Sequence, residues 1–181
     1  MSISDALDDL KEVLKKSIYG RSSGGSDLAS MLSGVDLNKD AKPETGFVEP
    51  VPGSVVYCDL AFHAAEHSGI YIGNGQIVAL ERDGSIVARA PTEFIKGTPA
   101  LSIYVSCCGN RAVGSEEAAE RARSKIGTRR NYNVMYDNCH HFSFGCLSGN
   151  FESHIVMLRQ LKVASQIVLH ADSWRKWNFR K

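Results

Sequence analysis

The sequence predicts an α+β domain in which helices pack on a small antiparallel sheet. Three observations lead to this class: apolar residues recur at helical spacing near the N-terminus, short strand-like runs separated by glycine turns fill the middle, and helical spacing returns from Ser115 onward. Hydrophobic residues make up 43% and charged residues 23% of the 181 positions, which is enough apolar material for one core.

Residues 1–46 are predicted to form one short helix and a loosely held connection. Ser4 can cap the helix. An apolar stripe at helical spacing follows, formed by Leu7, Leu10, Leu14 and Ile18. Glycines in residues 20–25 end this pattern, and no motif indicates a function for the segment.

Short strands are expected at residues 55–57, 67–73, 76–81, 86–88 and 101–105. Gly73-Asn74-Gly75 indicates a hairpin between the second and third of these. A three-residue loop pairs residue 72 with 76, 69 with 79 and 67 with 81. That register gathers on one face Ile70, Ile72, Val78 and Leu80. A two-residue turn would split this apolar set, so we expect the three-residue loop, which places Glu81 across from His67.

Helices are predicted over residues 115–127, from Asn138 or Cys139 to about Leu147, and within residues 152–170. The chain then divides into residues 1–46, a central domain of residues 47–150, and a C-terminal helical extension of residues 151–181.

The strongest chemical feature is the segment Tyr136-Asp137-Asn138-Cys139-His140-His141-Phe142. A cysteine at a helix N-terminus lies near unpaired backbone N–H groups and the positive end of the dipole, which favour the nucleophilic thiolate. The same groups could stabilise an oxyanion. The alternative is a buried structural cysteine, as assumed for Cys146.

Two motifs resemble those of the lecithin:retinol acyltransferase-like proteins. Pro52-Gly53 before a strand, followed by His67-Ser-Gly-Ile-Tyr-Ile-Gly-Asn-Gly, resembles their H-box, and Asn133 to Phe142 resembles their Asn-Cys motif. The resemblance covers roughly residues 50–150. It implies a circularly permuted, NlpC-type papain-like fold and thiol acyl chemistry, often on phospholipid acyl chains, with no cofactor and no metal.

Carried over by position, the resemblance makes Cys139 the nucleophile and His67 the general base. The family's second histidine, twelve residues after the first, is Ala79 here. Glu81, a backbone carbonyl or a water could orient His67 instead. The acidic residue that follows the family's cysteine is replaced by His140, and His141, which matches the family, is interpreted as structural.

Three functions remain open at this stage. The first is an acyltransferase or acyl hydrolase acting on lipid esters through a thioester on Cys139. The second is a peptidase or amidase for peptide or isopeptide bonds, and the third is a binding module that kept the fold and lost activity. A metal site built from His63, His67, Cys139, His140 and His141 is disfavoured, because the histidines at 63 and 67 do not lie on a predicted helix.

Composition restricts the partners and the compartment. With 21 basic and 20 acidic residues, the chain lacks the charge for nucleic-acid binding. Five unpatterned cysteines and no signal sequence or membrane span favour the cytoplasm, although non-classical export stays open. The ending Trp174 to Lys181 could make peripheral membrane contact through Trp174, Trp177 and Phe179, or these rings could pack on the domain. The sequence identifies neither a protein partner nor an oligomeric state.

Overall fold

A computed structural model of the protein describes residues 43–59, 66–133, 137–153 and 155–180. These ranges contain eight strands and four helices. They are β1 (Pro43–Val48), β2 (Val55–Asp59), β3 (Glu66–Tyr71), β4 (Ile77–Leu80), β5 (Ile86–Arg89), α1 (Pro91–Phe94), β6 (Tyr104–Cys108), β7 (Arg111–Ala112), α2 (Glu116–Lys125), α3 (Cys139–Ser148), α4 (Leu158–Leu169) and β8 (Ser173–Trp177). The predicted N-terminal helix and His63 lie outside the described residues.

The strands form one open sheet in the order β1-β8-β6-β2-β3-β4-β5, with β7 paired to β6. The α+β class is therefore confirmed. The sheet is mixed rather than antiparallel, because β1 runs parallel to β8. Local hairpin signals could not reveal this pair, since its two strands come from opposite ends of the described chain.

The two predicted segment boundaries do not separate structural units. The boundary between residues 46 and 47 falls inside β1, so residues 43–46 are strand rather than loose connection. The C-terminal extension is not wholly helical, because it ends in β8, which lies between β1 and β6 in the sheet. Both ends of the described chain thus complete the same sheet as its centre.

The β3–β4 hairpin has the predicted three-residue loop, but its ladder ends at Ile70 and Val78 and does not include the expected pairing of His67 with Glu81. Tyr71 pairs with Ile77 and Ile70 with Val78, and the Ile72 amide donates to the Gln76 carbonyl at 2.9 Å. The predicted apolar set belongs to one core, in which Ile70, Val78 and Leu80 are buried and Ile72 packs against them.

Each face of the sheet buries its own core. Helices α2, α3 and α4 cover the first, which contains Ile70 of β3 and Trp174 of β8. Phe94 of α1 and Ile77 belong to the second, together with Trp177. We call these two surfaces the helical face and the Phe94 face.

The C-terminal aromatic residues pack on the domain. Trp174 has no exposed surface, Trp177 is 7% exposed, and Phe179 contacts the core of the Phe94 face. Strand alternation sends the two indoles to opposite faces, where both are covered. These two rings are therefore not available for the membrane contact considered above. Within the described ranges, no helix combines the length and apolar character needed to cross a bilayer.

Candidate active site

Cys139 is the first residue of α3, and Asn138 caps that helix. The Asn138 Oδ1 accepts hydrogen bonds from the amides of His140 at 2.9 Å and His141 at 3.1 Å. Its Nδ2 donates to the Val156 carbonyl at 2.8 Å. All ten residues of α3 are buried, so the helix start that carries the thiol is held inside the domain.

The Cys139 sulfur lies against the backbone of β3. It is 4.0 Å from the Glu66 carbonyl oxygen, and the backbone and side chain of Ser68 act to lower the pKa of this thiol. The Tyr71 amide donates to the Ser54 carbonyl at 2.9 Å, and the Tyr71 carbonyl accepts from the Gly53 amide at 2.7 Å, so both groups point to the β2 side of the sheet. Backbone groups of successive strand residues point to alternate sides, so those of residues 66 and 68 point toward β4 rather than β2.

The paired residues of β3 and β4 are 70–71 and 77–78, so this ladder ends before residues 66–68. The sulfur therefore sits at the edge of β3, where β4 no longer pairs with it. It contacts the groups immediately before and after His67.

The His67 ring itself lies on the Phe94 face. It stacks on Phe94 with ring centroids 4.6 Å apart and planes 24° apart. Ser68 points the other way, toward α3, because neighbouring residues of a strand alternate. Among the described residues, no hydrogen bond joins the His67 imidazole to the Cys139 sulfur. The His67 ring thus lies on the opposite face of β3 from Ser68 and α3, where stacking on Phe94 holds it.

The Cys139 thiol and the His67 imidazole are both neutral at rest. Burial raises the pKa of the Cys139 thiol, against the hydrogen bonds from Ser68 and from the amides of His140 and Cys139. The thiolate expected from the helix terminus is thus overturned, because desolvation outweighs the favourable donors. Burial lowers the pKa of His67 to about 4, and nearby charge on His140 and Arg82 acts in the same direction.

Ser68 connects the thiol to a buried polar cluster that the sequence did not reveal. Its Oγ lies 2.9 Å from His140 Nδ1 and 3.1 Å from Ser143 Oγ. Burial lowers the pKa of His140 to about 4, so this imidazole is neutral too. Strand alternation in β3 could have indicated the position of Ser68. Residues two apart point to the same face, so Ser68 faces α3 if Ile70 faces the same core.

The candidates for orienting His67 occupy different environments. Glu81 is partly exposed, and its Oε1 accepts from Arg89 Nε at 3.5 Å. Its action on His67 stays a prediction. Ala79, at the position of the family's second histidine, is fully buried on the Phe94 face. Phe94, which no sequence motif marked, is the residue in stacking contact with the ring.

His141 belongs to a separate cluster. Its Nδ1 lies 3.2 Å from Asp137 Oδ1, and Arg130 Nε donates to both Asp137 oxygens at 3.0 and 2.8 Å. Burial lowers the pKa of His141, while Asp137 opposes that change. These contacts anchor the chain just before α3, in agreement with a structural role.

A polar cleft of about 350 Å³ lies between the β4–β5 turn and residues 129–132, which follow α2. It is lined by Arg82, Asp83, Arg129, Arg130, Asn131 and Tyr132. Burial raises the pKa of Tyr132, and an electrostatic effect of Cys139 adds to that rise. Arg82 similarly acts on His67.

Within the described part of the chain, no three histidine, cysteine or acidic side chains are grouped so that they could hold a metal ion. The histidine at position 63, considered for such a site, lies outside that part. No protein-family model matches the chain, and no curated protein matches it significantly.

Proposed function

We propose that the protein is a cysteine-dependent acyltransferase or acyl hydrolase that forms a thioester on Cys139, with lipid acyl esters as donors. One observation carries the proposal: the Cys139 sulfur, at the start of a buried helix, contacts β3 on both sides of His67. The motif resemblance supports the choice of acyl chemistry and of lipid donors. The papain-like permuted topology belongs to the same proposal.

In the first step, the neutral His67 imidazole takes the proton from Cys139 Sγ as the sulfur attacks the acyl carbonyl carbon. The tetrahedral intermediate collapses, the ester oxygen leaves with the proton from His67, and a thioester remains. Water or an acceptor alcohol or amine then attacks the thioester, with His67 again accepting a proton. Sγ recovers a proton as it leaves.

This cycle requires the His67 ring to turn from Phe94 toward the sulfur. To reach the sulfur, the ring would have to pass the edge of β3 beyond Ile70 and Val78, the last pair of the β3–β4 ladder on this side. Catalytic hydrogen bonds are often long or misaligned in a free enzyme and tighten only with substrate. Phe94 would then act as a positioning residue that holds the ring between turnovers.

Fewer backbone amides are available to stabilise an oxyanion than the sequence suggested. The amides of His140 and His141 donate to the Asn138 cap. The Cys139 amide is not used by that cap and is the first-turn donor that can face a developing oxyanion. The proposed mechanism therefore relies on this amide rather than on the whole helix terminus.

A binding module of the same fold is the second candidate. The observations that favour it are the His67 ring stacked on Phe94 and the alanine at position 79, which leaves no second histidine. An orienting partner can be worth several orders of magnitude in related triads.

Intact mass spectrometry after incubation with acyl donors tests the proposal. The panel contains short-chain phospholipids as ester donors and acylated peptides as amide donors. Cys108 is exposed, so the experiment uses a Cys108→Ser background to remove adventitious labelling. We expect a hydroxylamine-sensitive acyl adduct that Cys139→Ala abolishes and that His67→Gln slows by roughly 10²–10⁴-fold.

Cys146→Ser is the matched control, because this thiol is buried in the same helix, and it should acylate like the background protein. Acylation by amides but not esters would replace the lipid donor with a peptide one. A folded protein that acquires no Cys139-dependent adduct from any donor would favour the binding module.

A further inference from the structure

The polar cleft lined by Arg82 and Arg129 has walls fixed by backbone contacts. Its two sides are the β4–β5 turn at residues 82–85 and the loop at residues 129–132. The Arg130 amide donates to the Gly84 carbonyl at 2.8 Å, and Ser85 pairs with Arg129 as an isolated bridge. A Cβ on Gly84 would lie 2.2 Å from the Arg130 carbonyl oxygen, and its φ is +85°. Glycine is thus required for this close approach.

The charged groups of the cleft leave an excess of positive charge. The Arg130 guanidinium is neutralised, since its Nε donates to both Asp137 oxygens. Arg82 and Arg129 then face the single carboxylate of Asp83, so two positive charges meet one negative charge. Two hydrogen bonds from Ser85 lower the pKa of Asp83, which therefore stays ionised.

The two remaining guanidinium groups differ in their availability. Arg129 Nη2 donates to the Asp83 carbonyl at 2.6 Å, which fixes its position in the wall. Arg82 is exposed and, within the described ranges, makes no hydrogen bond or ion pair. Its charge contributes to lowering the pKa of His67, and its guanidinium remains available to a ligand in the cleft that it lines.

We propose that this cleft is an anion subsite, in which Arg82, assisted by Arg129, binds a phosphate or carboxylate group of the acyl donor. A guanidinium presents parallel N–H donors that match two oxygens of either group. The inference rests on the proposed function for its link to catalysis, because the bound anion would direct the donor's carbonyl to Cys139. It makes anionic acyl donors the preferred substrate class.

Direct binding tests the subsite without any turnover. Full-length Cys139→Ala protein is titrated with sn-glycerol 3-phosphate, N-acetylglycine and glycerol while backbone amide NMR shifts are followed. We expect the phosphate, the carboxylate or both to bind weakly and in a salt-sensitive way, to shift the amides of Gly84 and Asn131, and to lose roughly tenfold in affinity in Arg82→Gln, about 1.4 kcal/mol. The stronger of the two ligands identifies the chemical source of the anion.

Arg111→Gln is the matched control, because it removes an exposed arginine from β7, which does not line the cleft. It should bind the anions like the parent protein. Shifts elsewhere on the protein, equal losses in the two variants, or binding of glycerol as strong as that of the anions would overturn the subsite.

Kinetics separates this inference from the proposed function. The ratio of kcat/KM for dihexanoyl phosphatidic acid over dihexanoylglycerol should fall roughly tenfold in Arg82→Gln and stay constant in Arg111→Gln. A ratio that does not depend on Arg82 overturns the subsite while acyl transfer stands. Anion binding at the cleft in a protein that turns over no donor keeps the subsite and overturns the proposed function.

Discussion

Burial, more than neighbouring charge, sets the protonation of the central residues. Cys139 is 4% exposed and keeps its proton although several donors surround the sulfur. His67 and His140 are neutral for the same reason. A neutral thiol and a neutral imidazole form no ion pair at rest, so the proposed mechanism requires His67 to take the proton as the sulfur attacks.

His67 and His140 should make stability depend on pH. Their pKa values fall from 6.5 in the unfolded chain to about 4 in the folded protein. The unfolded state therefore binds more protons between these values, and the free energy of unfolding should decrease as pH falls from about 6.5 to 4. Each histidine could contribute roughly 3 kcal/mol at most.

Urea unfolding between pH 7 and 4.5 measures this dependence. His67→Gln should reduce the slope, whereas His170→Asn, which changes an exposed residue after α4, should keep that of the parent protein. An unchanged slope in His67→Gln would show that this imidazole already titrates normally in the folded state.

Among the secondary-structure elements, α3 does most to build the site. Its start is specified locally by Asn138, and its burial on all sides comes from β3, α2 and α4. The cap fixes both the position of the thiol and the direction of the remaining amide. Hairpin β3–β4 contributes the surface against which the sulfur lies. Its ladder ends before residues 66–68, so this part of the β3 edge is not paired with β4.

Replacing the capping residue Asn138 by alanine should destabilise the protein more than replacing it by aspartate. Asn138→Ala loses the two accepted hydrogen bonds and the donation to Val156, and we expect about 2 kcal/mol less free energy of unfolding. Asn138→Asp keeps the acceptor and should lose less. Urea unfolding at pH 7 compares the two. If Asp is as harmful as Ala, the bond to Val156 rather than the cap holds the helix start.

At the scale of the whole molecule, the first and last strands of the described chain pair with each other in the sheet. β8 lies between β1 and β6, and Trp174 reaches the core of the helical face. A segment that the sequence suggested as an extension is therefore an internal part of the fold. The elements that carry the candidate site depend on it indirectly, since β6 joins β8 to β2 and thereby to β3.

Truncation before Ser173 should abolish cooperative unfolding, because β6 loses a neighbour, β1 loses its partner and the core loses a fully buried indole. Circular dichroism during urea titration and limited proteolysis would show this. Removal of only Arg180 and Lys181 is the control and should leave a cooperative transition. A cooperative transition of parental midpoint in the shorter protein would show that β8 is dispensable.

The sequence by itself determined the hairpin register and the start of α3. Both depend on residues close in the chain: the glycine turn with its alternating apolar positions, and an asparagine immediately before Cys139. Only the tertiary structure decided that Ser68 contacts the sulfur, that Phe94 holds the His67 ring, that Arg82 borders the site and that β1 pairs with β8. These outcomes, and the proton that Cys139 retains, depend on burial and pairing among segments far apart in sequence, which local patterns do not encode.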